Sequence, residues 1–555
     1  MTNLESRTHL DYMPVISIHN ERRIFFRVAE ERTTSFSSNK ERGAFNRNAM
    51  FQALPETVMD KATLQLIQVE DLHNAIDHTQ TAVGSAVLFR SLMQPQVSLD
   101  YILAKQDSVR ELEADGMLKR AVDDYLFEVQ QGEAALLKLL NHELWSHHWY
   151  GDFKAARKTV RNILKAAKGI PTPETEYARA LVSPIRAFES SPIYQMMRGP
   201  LYRTFTGPQP KEALGFFTPA WILRPTHLSA GVVGLMLPFF AMTAGIGSGL
   251  IERGPHLSIE ALNLVFGTLM ASMGYGSLMK EDIEYNTAIA PLIKRMYADK
   301  GFNVVVDAVG KLDELRSFIE YARALPHATT LPSITDGDAH YFIAQNLRNP
   351  VLGKGNYQFV PNDVQLNGSR LTFITGPNSG GKTTYCKSIL QNQLLGQIGG
   401  YVLASKASMN VADRIAYQAP QFDALQDAEG RFGTELARTR DIFYETCPQS
   451  LVVLDELAEG TTIEEKIKQS HLILNGFHAI GNNTILVTHN HQLVDSFREL
   501  GKGQYLQAEF NETTPTYRMV QGTSRESHAE RVAEKIGFSE QDIQQHLMEK
   551  GYLKP

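Results

Sequence analysis

The sequence predicts a mostly α-helical region followed by an α/β region built on a largely parallel sheet. Three observations carry this. From Ala62 onward apolar residues recur at helical spacing; near Ala339 the period changes to short β-rich runs; beyond it, apolar strands alternate with helices. The chain has 555 residues, room for several domains at roughly 150 residues each. Hydrophobic residues make up 43% and charged residues 21%, which excludes wholesale disorder. With 55 Lys+Arg against 61 Asp+Glu the net charge is -6, so a uniformly basic coat is excluded and only a local basic face remains open. Two cysteines, Cys386 and Cys447, cannot build a disulfide framework or a cysteine-based zinc site, and they suit a reducing compartment. Met1 to Arg32 has no apolar core of the kind a secretory signal carries.

Taken in order, residues 1–60 read as an irregular arm with one strand near Ile24 to Val28. Leu64, Ile67, Leu72 and Ile76 share a helical face, continued by Val83, Val87 and Leu88. Helical character runs on through Glu133 to Leu140 and Lys154 to Lys168, stops at Pro171 and Pro173, and resumes from Glu174 to Phe188. A Pro- and Gly-rich connection follows from Gly199 to Pro225, and Glu281 to Lys300 and Lys311 to Leu325 are helical again. Strands are expected at Tyr341 to Ala344, Tyr357 to Val360, Leu371 to Thr375, Leu451 to Leu454 and Thr484 to Thr488. The tail contains a helical stretch from Ala529 to Ile536. The division is therefore an arm over 1–60, a helical region over 61–335 and an α/β region over 336–555, with the boundary at 326–340.

Within the helical region, Pro225 to Ile251 and Ala261 to Met279 carry no Asp, Glu, Lys or Arg. The first run is long enough to span a bilayer and the second just long enough. Basic residues on both flanks (Arg203, Lys211 and Arg224; Lys280, Lys294 and Arg295) would place both ends in the cytoplasm. Gly, Ser, Thr, Met and Asn263 within the runs support the other reading, a buried helical pair or a tip packed on a partner subunit. Lys154, Arg157, Lys158, Arg161, Lys165 and Lys168 form a basic stripe at helical spacing; a solvated face is the default and a phosphate-binding stripe the sharper reading. His142-Glu143 to His147 looks like a zinc-protease helix, but its spacing is one residue too long and turns the two histidines to different faces.

The chemistry concentrates in the α/β region. Gly376-Pro377-Asn378-Ser379-Gly380-Gly381-Lys382-Thr383 fits G-x-x-x-x-G-K-[ST], after a strand and before the helix opening at Thr384. Glycines let backbone N–H groups approach phosphates, Lys382 neutralises the β and γ phosphates of ATP, and Thr383 is expected to ligate Mg²⁺. Leu451 to Asp455-Glu456 is an apolar strand ending in two acids; Asp455 is expected to hold Mg²⁺ and Glu456 to position or deprotonate the attacking water. A third strand ends at Thr488-His489, where His489 can report the γ-phosphate.

These residues resemble the MutS family of mismatch-repair ATPases. Thr375 to Tyr385, with its Pro377-Asn378, is similar to that family's phosphate loop, and Arg348-Asn349-Pro350 to its Arg-His-Pro. Phe359 in Phe359-Val360-Pro361-Asn362-Asp363 resembles the aromatic residue that packs on adenine. Asp455-Glu456-Leu457, Gly460-Thr461 and Thr488-His489 continue the likeness in order, and Thr81 to Ile102 resembles the start of the core and lever region. The resemblance implies an ABC-like P-loop ATPase using ATP and Mg²⁺, with Asn378 and His489 sensing the γ-phosphate. It also implies a dimer, expected to be a homodimer, in which ATP moves lever arms and alters grip on DNA.

The sequence departs from the family in four places. No room for the mismatch-reading domains exists in the roughly 60 residues ahead of the lever-like segment. The signature Ser-Thr-Phe appears as Glu429-Gly430-Arg431-Phe432, without the serine; Arg431 could reach a partner's phosphate instead, a solvated loop arginine being the default reading. Ala458-Glu459 stands where Gly-Arg is usual, and the apolar runs at 225–279 occupy the place of the DNA clamp. Two functional expectations follow. One is an ATP-dependent DNA-binding ATPase of the MutS type. The alternative is a membrane-anchored relative whose target is not mismatched DNA.

Overall fold

The computed structural model describes residues 58–140, 149–198, 201–204, 207–210, 221–223, 266–267, 292–293, 295–296, 299–420, 430–457, 463–511, 514–525, 536–550 and 552–553. The expected strand at 24–28, the His142–His148 segment, the helix at 529–536 apart from Ile536, and the 225–279 runs apart from Phe266 and Gly267 lie outside these residues. Among the described residues no helix is long and apolar enough to cross a membrane.

The helical part begins with α1 (Lys61–Leu66) and α2 (Val69–Ile76). The single apolar face expected across them is broken at Gln68, which sits at φ 59 and divides the segment into two short helices. Asp60 caps α1 by accepting from Thr63 N at 2.7 Å. Next come α3 (Ala82–Met93), α4 (Leu99–Ala114), α5 (Gly116–Leu140), α6 (Trp149–Ala167), α7 (Glu176–Ala187) and α8 (Pro192–Arg198). A small antiparallel sheet, β2-β1-β3, is formed by β1 (Leu201–Thr204), β2 (Gly207–Pro210) and β3 (Trp221–Leu223). The last helix of this part is α9 (Lys300–Ala324), capped by Asp299.

Helix α9 runs through the centre, which explains its lack of a simple amphipathic pattern. Leu312, Leu315, Phe318 and Ile319 are buried, and so are Asp307, Asp313, Glu314 and Ser317. Each buried acid has partners. Asp307 meets Arg90 at 2.6 Å and Lys311 at 3.1 Å, Glu314 meets Lys105 at 2.8 Å, and Asp313 accepts from the backbone of Gln80 and Thr81. Gly310 lies inside α9 because α3 crosses there; a Cβ would come 2.4 Å from Val87 Cγ2.

From Ser333 the chain forms two sheets. A four-stranded sheet has the order β4-β8-β5-β6, with β4 (Ser333–Thr335), β5 (Phe342–Leu347), β6 (Asn362–Leu366) and β8 (Lys406–Asn410). The larger sheet has the order β13-β12-β7-β11-β10-β9. Its members are β7 (Leu371–Thr375), β9 (Ile415–Gln418), β10 (Leu451–Asp455), β11 (Asn483–Val487), β12 (Gln504–Asn511) and β13 (Thr514–Gln521). All its pairs are parallel except β12–β13, a hairpin at the edge. The helices are α10 (Lys382–Gln397), α11 (Gly430–Glu445), α12 (Ile463–Ile480), α13 (His491–Glu499) and α14 (Glu540–Glu549). Every position of β7 and β11 is buried, as a strand covered on both faces requires. The chain is thus helix-rich with mixed α/β sheets. The strand expected at 357–360 is instead a turn, because Asn356 accepts from Gln358 N through its side chain and from Phe359 N through its carbonyl.

One continuous core joins the two parts. Ile67, Leu72, Leu315 and Phe318 from the helices share it with Phe342, Ile374, Ile389, Leu394 and Leu451 from the α/β region.

Candidate nucleotide-binding site

Three adjacent parallel strands place the site. β7 pairs with β11 so that Ile374 faces Val487, and β11 pairs with β10 so that Val487 faces Asp455. Their C-terminal ends therefore open at one level, where α/β sheets gather ligands.

After β7 the backbone turns at Gly376 (φ 118), makes a single 3₁₀ turn over Asn378–Gly380, and enters α10 through Gly381 (φ 84). Glycine is required at 380 by crowding, since a Cβ would stand 2.5 Å from Ala508 Cβ on β12. Pro377 and Gly380 are buried, while Asn378 and Ser379 are exposed. Lys382 Nζ donates to the carbonyls of Gly376 (2.5 Å) and Pro377 (3.0 Å) and to Asn378 Oδ1 (3.4 Å). Burial lowers its pKa, opposed by the Asp455 and Glu456 carboxylates. Thr384, one residue past the loop motif, is half-buried and accepts Ser388 Oγ through its carbonyl at 2.7 Å.

Two contacts cross from the loop to the other strand ends. Thr383 Oγ1 donates to Asp455 Oδ2 at 3.1 Å. Burial raises the Asp455 pKa, and hydrogen bonds from Thr383 and Tyr417 oppose the shift. Asn378 Oδ1 lies 2.6 Å from His489 Nε2, and Glu456 Oε1 lies 3.8 Å from the same nitrogen. Burial and the Lys382 charge lower the His489 pKa, so the ring is neutral near pH 7 and its Nε2–H tautomer satisfies the carbonyl of Asn378. Glu456 adopts φ 60 and donates its N–H to Val487 O at 2.9 Å. This left-handed turn directly after β10 aims two consecutive acids differently, and an uncommon backbone at such a place suits a functional site.

Lys382, Thr383, Asp455, Glu456, Asn378 and His489 are therefore brought together. Phe359 stands apart from this cluster. Its ring lies 5.9 Å from the Arg348 guanidinium, and Arg348 donates to Phe359 O at 2.9 Å, so the two segments singled out at 348–350 and 359–363 form one substructure. That substructure reaches α10 where Tyr385 OH donates to Asp363 O at 3.2 Å. Arg431 falls in the first turn of α11, with its side chain outside the described residues. Among the described residues no cluster of His, Cys, Asp and Glu could hold a metal by those ligands alone.

Sequence reasoning missed two residues here. Tyr417 on β9 donates to Asp455 Oδ2 at 3.3 Å. Half-exposed Tyr517 on β13, at φ 60, lies beside Gly381, whose Cβ would come 3.3 Å from its ring. Both come from strands short or irregular enough to escape a periodicity reading.

Comparison with known proteins decides the relationship. The family model for MutS domain V matches residues 372–550, the stretch from β7 through α14. The DNA mismatch repair protein MutS of Thermosynechococcus vestitus is 26% identical over 466 residues, covering 76% of this chain and 51% of that protein. The chain is similar to the MutS family, over β7 to α14 by the family model and over about three quarters of its length by this relative. Two further relatives have the same name: MutS of Haloquadratum walsbyi, 34% identical over 190 residues (34% of this chain, 20% of that one), and MutS of Shouchella clausii, 30% identical over 278 residues (47% and 31%). The chain spans about half or less of the length of these MutS relatives.

Proposed function

We propose that this MutS relative is a Mg²⁺-dependent ATPase of the ABC-like P-loop type, organised as an arm (1–60), a helical core and lever part (61–335) and an ATPase part (336–555). The observation that carries the reading is the convergence of loop, acids and histidine at three adjacent strand ends. Lys382 and the loop N–H groups bind the phosphates, with Gly376, Gly380 and Gly381 keeping the backbone close. The hydroxyl of Thr383 and the carboxylate of Asp455, already 3.1 Å apart, are hard oxygen donors and fit Mg²⁺. The ion, when bound, neutralises charge on the β and γ phosphates. Glu456 orients the attacking water and takes its proton, while Asn378 and His489, joined at 2.6 Å, sense the γ-phosphate. Phe359, whose ring lies 5.9 Å from the Arg348 guanidinium, packs on the adenine.

ATP occupancy then moves the helical part in a homodimer that grips DNA. The relatives' name, DNA mismatch repair protein, supports a DNA-related role. The helical part supplies a surface for it. On α6, Lys154, Lys158, Arg161, Lys165 and the following Lys168 are exposed, Arg157 is half-buried, and Ala156, Val160, Leu164 and Ala167 face inward. Lys168 pairs with Glu189 at 2.8 Å.

The test is DNA binding by the full chain across a salt series, with and without ATP. Replacing Lys154, Lys158, Arg161 and Lys165 by Gln is expected to flatten the log–log salt slope by about 3–4, one counterion per lost phosphate contact. An unchanged slope and affinity would move the grip elsewhere on the chain. Absence of DNA binding by the unsubstituted protein would remove DNA from the proposal.

A further inference from the structure

We infer that Tyr417 is a positioning residue for the metal-holding carboxylate of Asp455, and that the first helix of the helical part holds it in place. The inference rests on the proposed nucleotide site. Tyr417 OH donates to Asp455 Oδ2 at 3.3 Å, the same oxygen that accepts from Thr383 at 3.1 Å. Two donors thus fix one carboxylate oxygen, and no donor among the described residues reaches Oδ1 through a hydrogen bond. A carboxylate held by one oxygen presents the other in a defined direction, which is how hydrogen bonds behind a ligand raise metal affinity.

The phenol suits the task. Tyr417 is 1% exposed, and its hydroxyl acts on the carboxylate as a hydrogen-bond donor.

Its backbone is anchored from the helical part. Tyr417 N donates to Thr63 Oγ1 on α1 at 3.0 Å, and Tyr417 O accepts from Arg438 on α11 at 2.8 Å. Arg438 also meets Asp60, the cap of α1, at 3.4 Å. Two residues earlier on β9, Ile415 N donates to Val58 O at 2.8 Å. The segment Val58–Thr63 therefore lies against the free edge of β9, directly behind the metal-facing acid. The kink after it meets the phosphate-loop helix as well, through Gln391 Nε2 to Ile67 O at 2.8 Å and Lys387 Nζ to Gln68 Oε1 at 2.9 Å. β9 and the phosphate-loop helix α10 are thereby both tied by hydrogen bonds to α1 and to the kink that follows it.

The experiment compares the full chain with Tyr417→Phe, which keeps the ring and its packing. A fluorescent ATP analogue is titrated in EDTA and then at increasing Mg²⁺, and hydrogen exchange of residues 58–76 is followed with and without Mg²⁺–nucleotide. Expected is unchanged binding in EDTA, a roughly tenfold higher Mg²⁺ requirement in the variant, and weaker nucleotide-dependent protection of 58–76. Thr63→Val, which removes the anchor but leaves the phenol, should raise the Mg²⁺ requirement less and reduce the protection change equally. Equal Mg²⁺ requirement in both proteins overturns the role of Tyr417 while leaving the nucleotide site intact. A wild-type chain that binds no nucleotide overturns the site and this inference together.

Discussion

Replacing Glu456 by Gln is expected to lower ATP hydrolysis by about 10²–10⁴-fold, the usual contribution of a positioned general base, with nucleotide binding preserved. The geometry separates the two effects. In the proposed site the phosphates fall to Lys382 and the loop amides, none of which touches Glu456 through a hydrogen bond. The acid follows β10 at φ 60 and is held by its own N–H on Val487 O, a conformation Gln enters as readily as Glu. Its carboxylate lies 3.8 Å from His489 Nε2, so the amide can keep a polar contact with the ring but cannot take a proton from water. Phosphate release and titration of a fluorescent analogue measure the two quantities. An unchanged rate would assign the base elsewhere.

The second large effect is structural. Lys105→Met is expected to destabilise the helical part by about 3–5 kcal/mol, because removing one member of a buried pair leaves the other charge without compensation. Lys105 on α4 and Glu314 on α9 meet at 2.8 Å with side chains 3% and 1% exposed. The ammonium also lies 5.2 Å from the centre of the Phe318 ring, and the lysine stem packs beside Gly399, just past α10. The pair therefore sits where the central helix, α4 and the end of the phosphate-loop helix converge. Lys105→Met with Glu314→Leu should recover most of the loss, since apolar replacement of both partners removes the stranded charge. Urea denaturation of the three proteins reads the difference. Equal midpoints for wild type and Lys105→Met would show that Glu314 finds water or another partner.

What the sequence revealed follows the range over which its signals act. β7, the phosphate loop and the start of α10 are consecutive, so 371–384 could be read from local pattern alone. The acids at 455 and 456 and the histidine at 489 were readable because each closes an apolar run. The relation among them, Thr383 with Asp455 and Asn378 with His489, depends on strand order and had to come from the fold. The helix expected from Lys311 to Leu325 begins at Lys300 instead, with Gly310 inside α9 where α3 crosses it. Gln68 misled it the other way, since nothing in its identity announces a left-handed residue between two helices. The tail helix at 540–549 carries a readable signal in Ser539 and Asp542, which form a capping box. Tyr417 had no local signal at all, because its partners Asp455 and Thr63 lie on other elements and in another part of the chain.

The central claim is hydrolysis of ATP at this site with Mg²⁺. Its most direct test is release of inorganic phosphate from ATP by the purified full-length chain, in Mg²⁺ and in excess EDTA. The account predicts steady release in Mg²⁺ that stops in EDTA and returns when Mg²⁺ is restored. Phosphate release that continues unchanged in EDTA, or none in Mg²⁺ from a chain that binds the nucleotide, would contradict it.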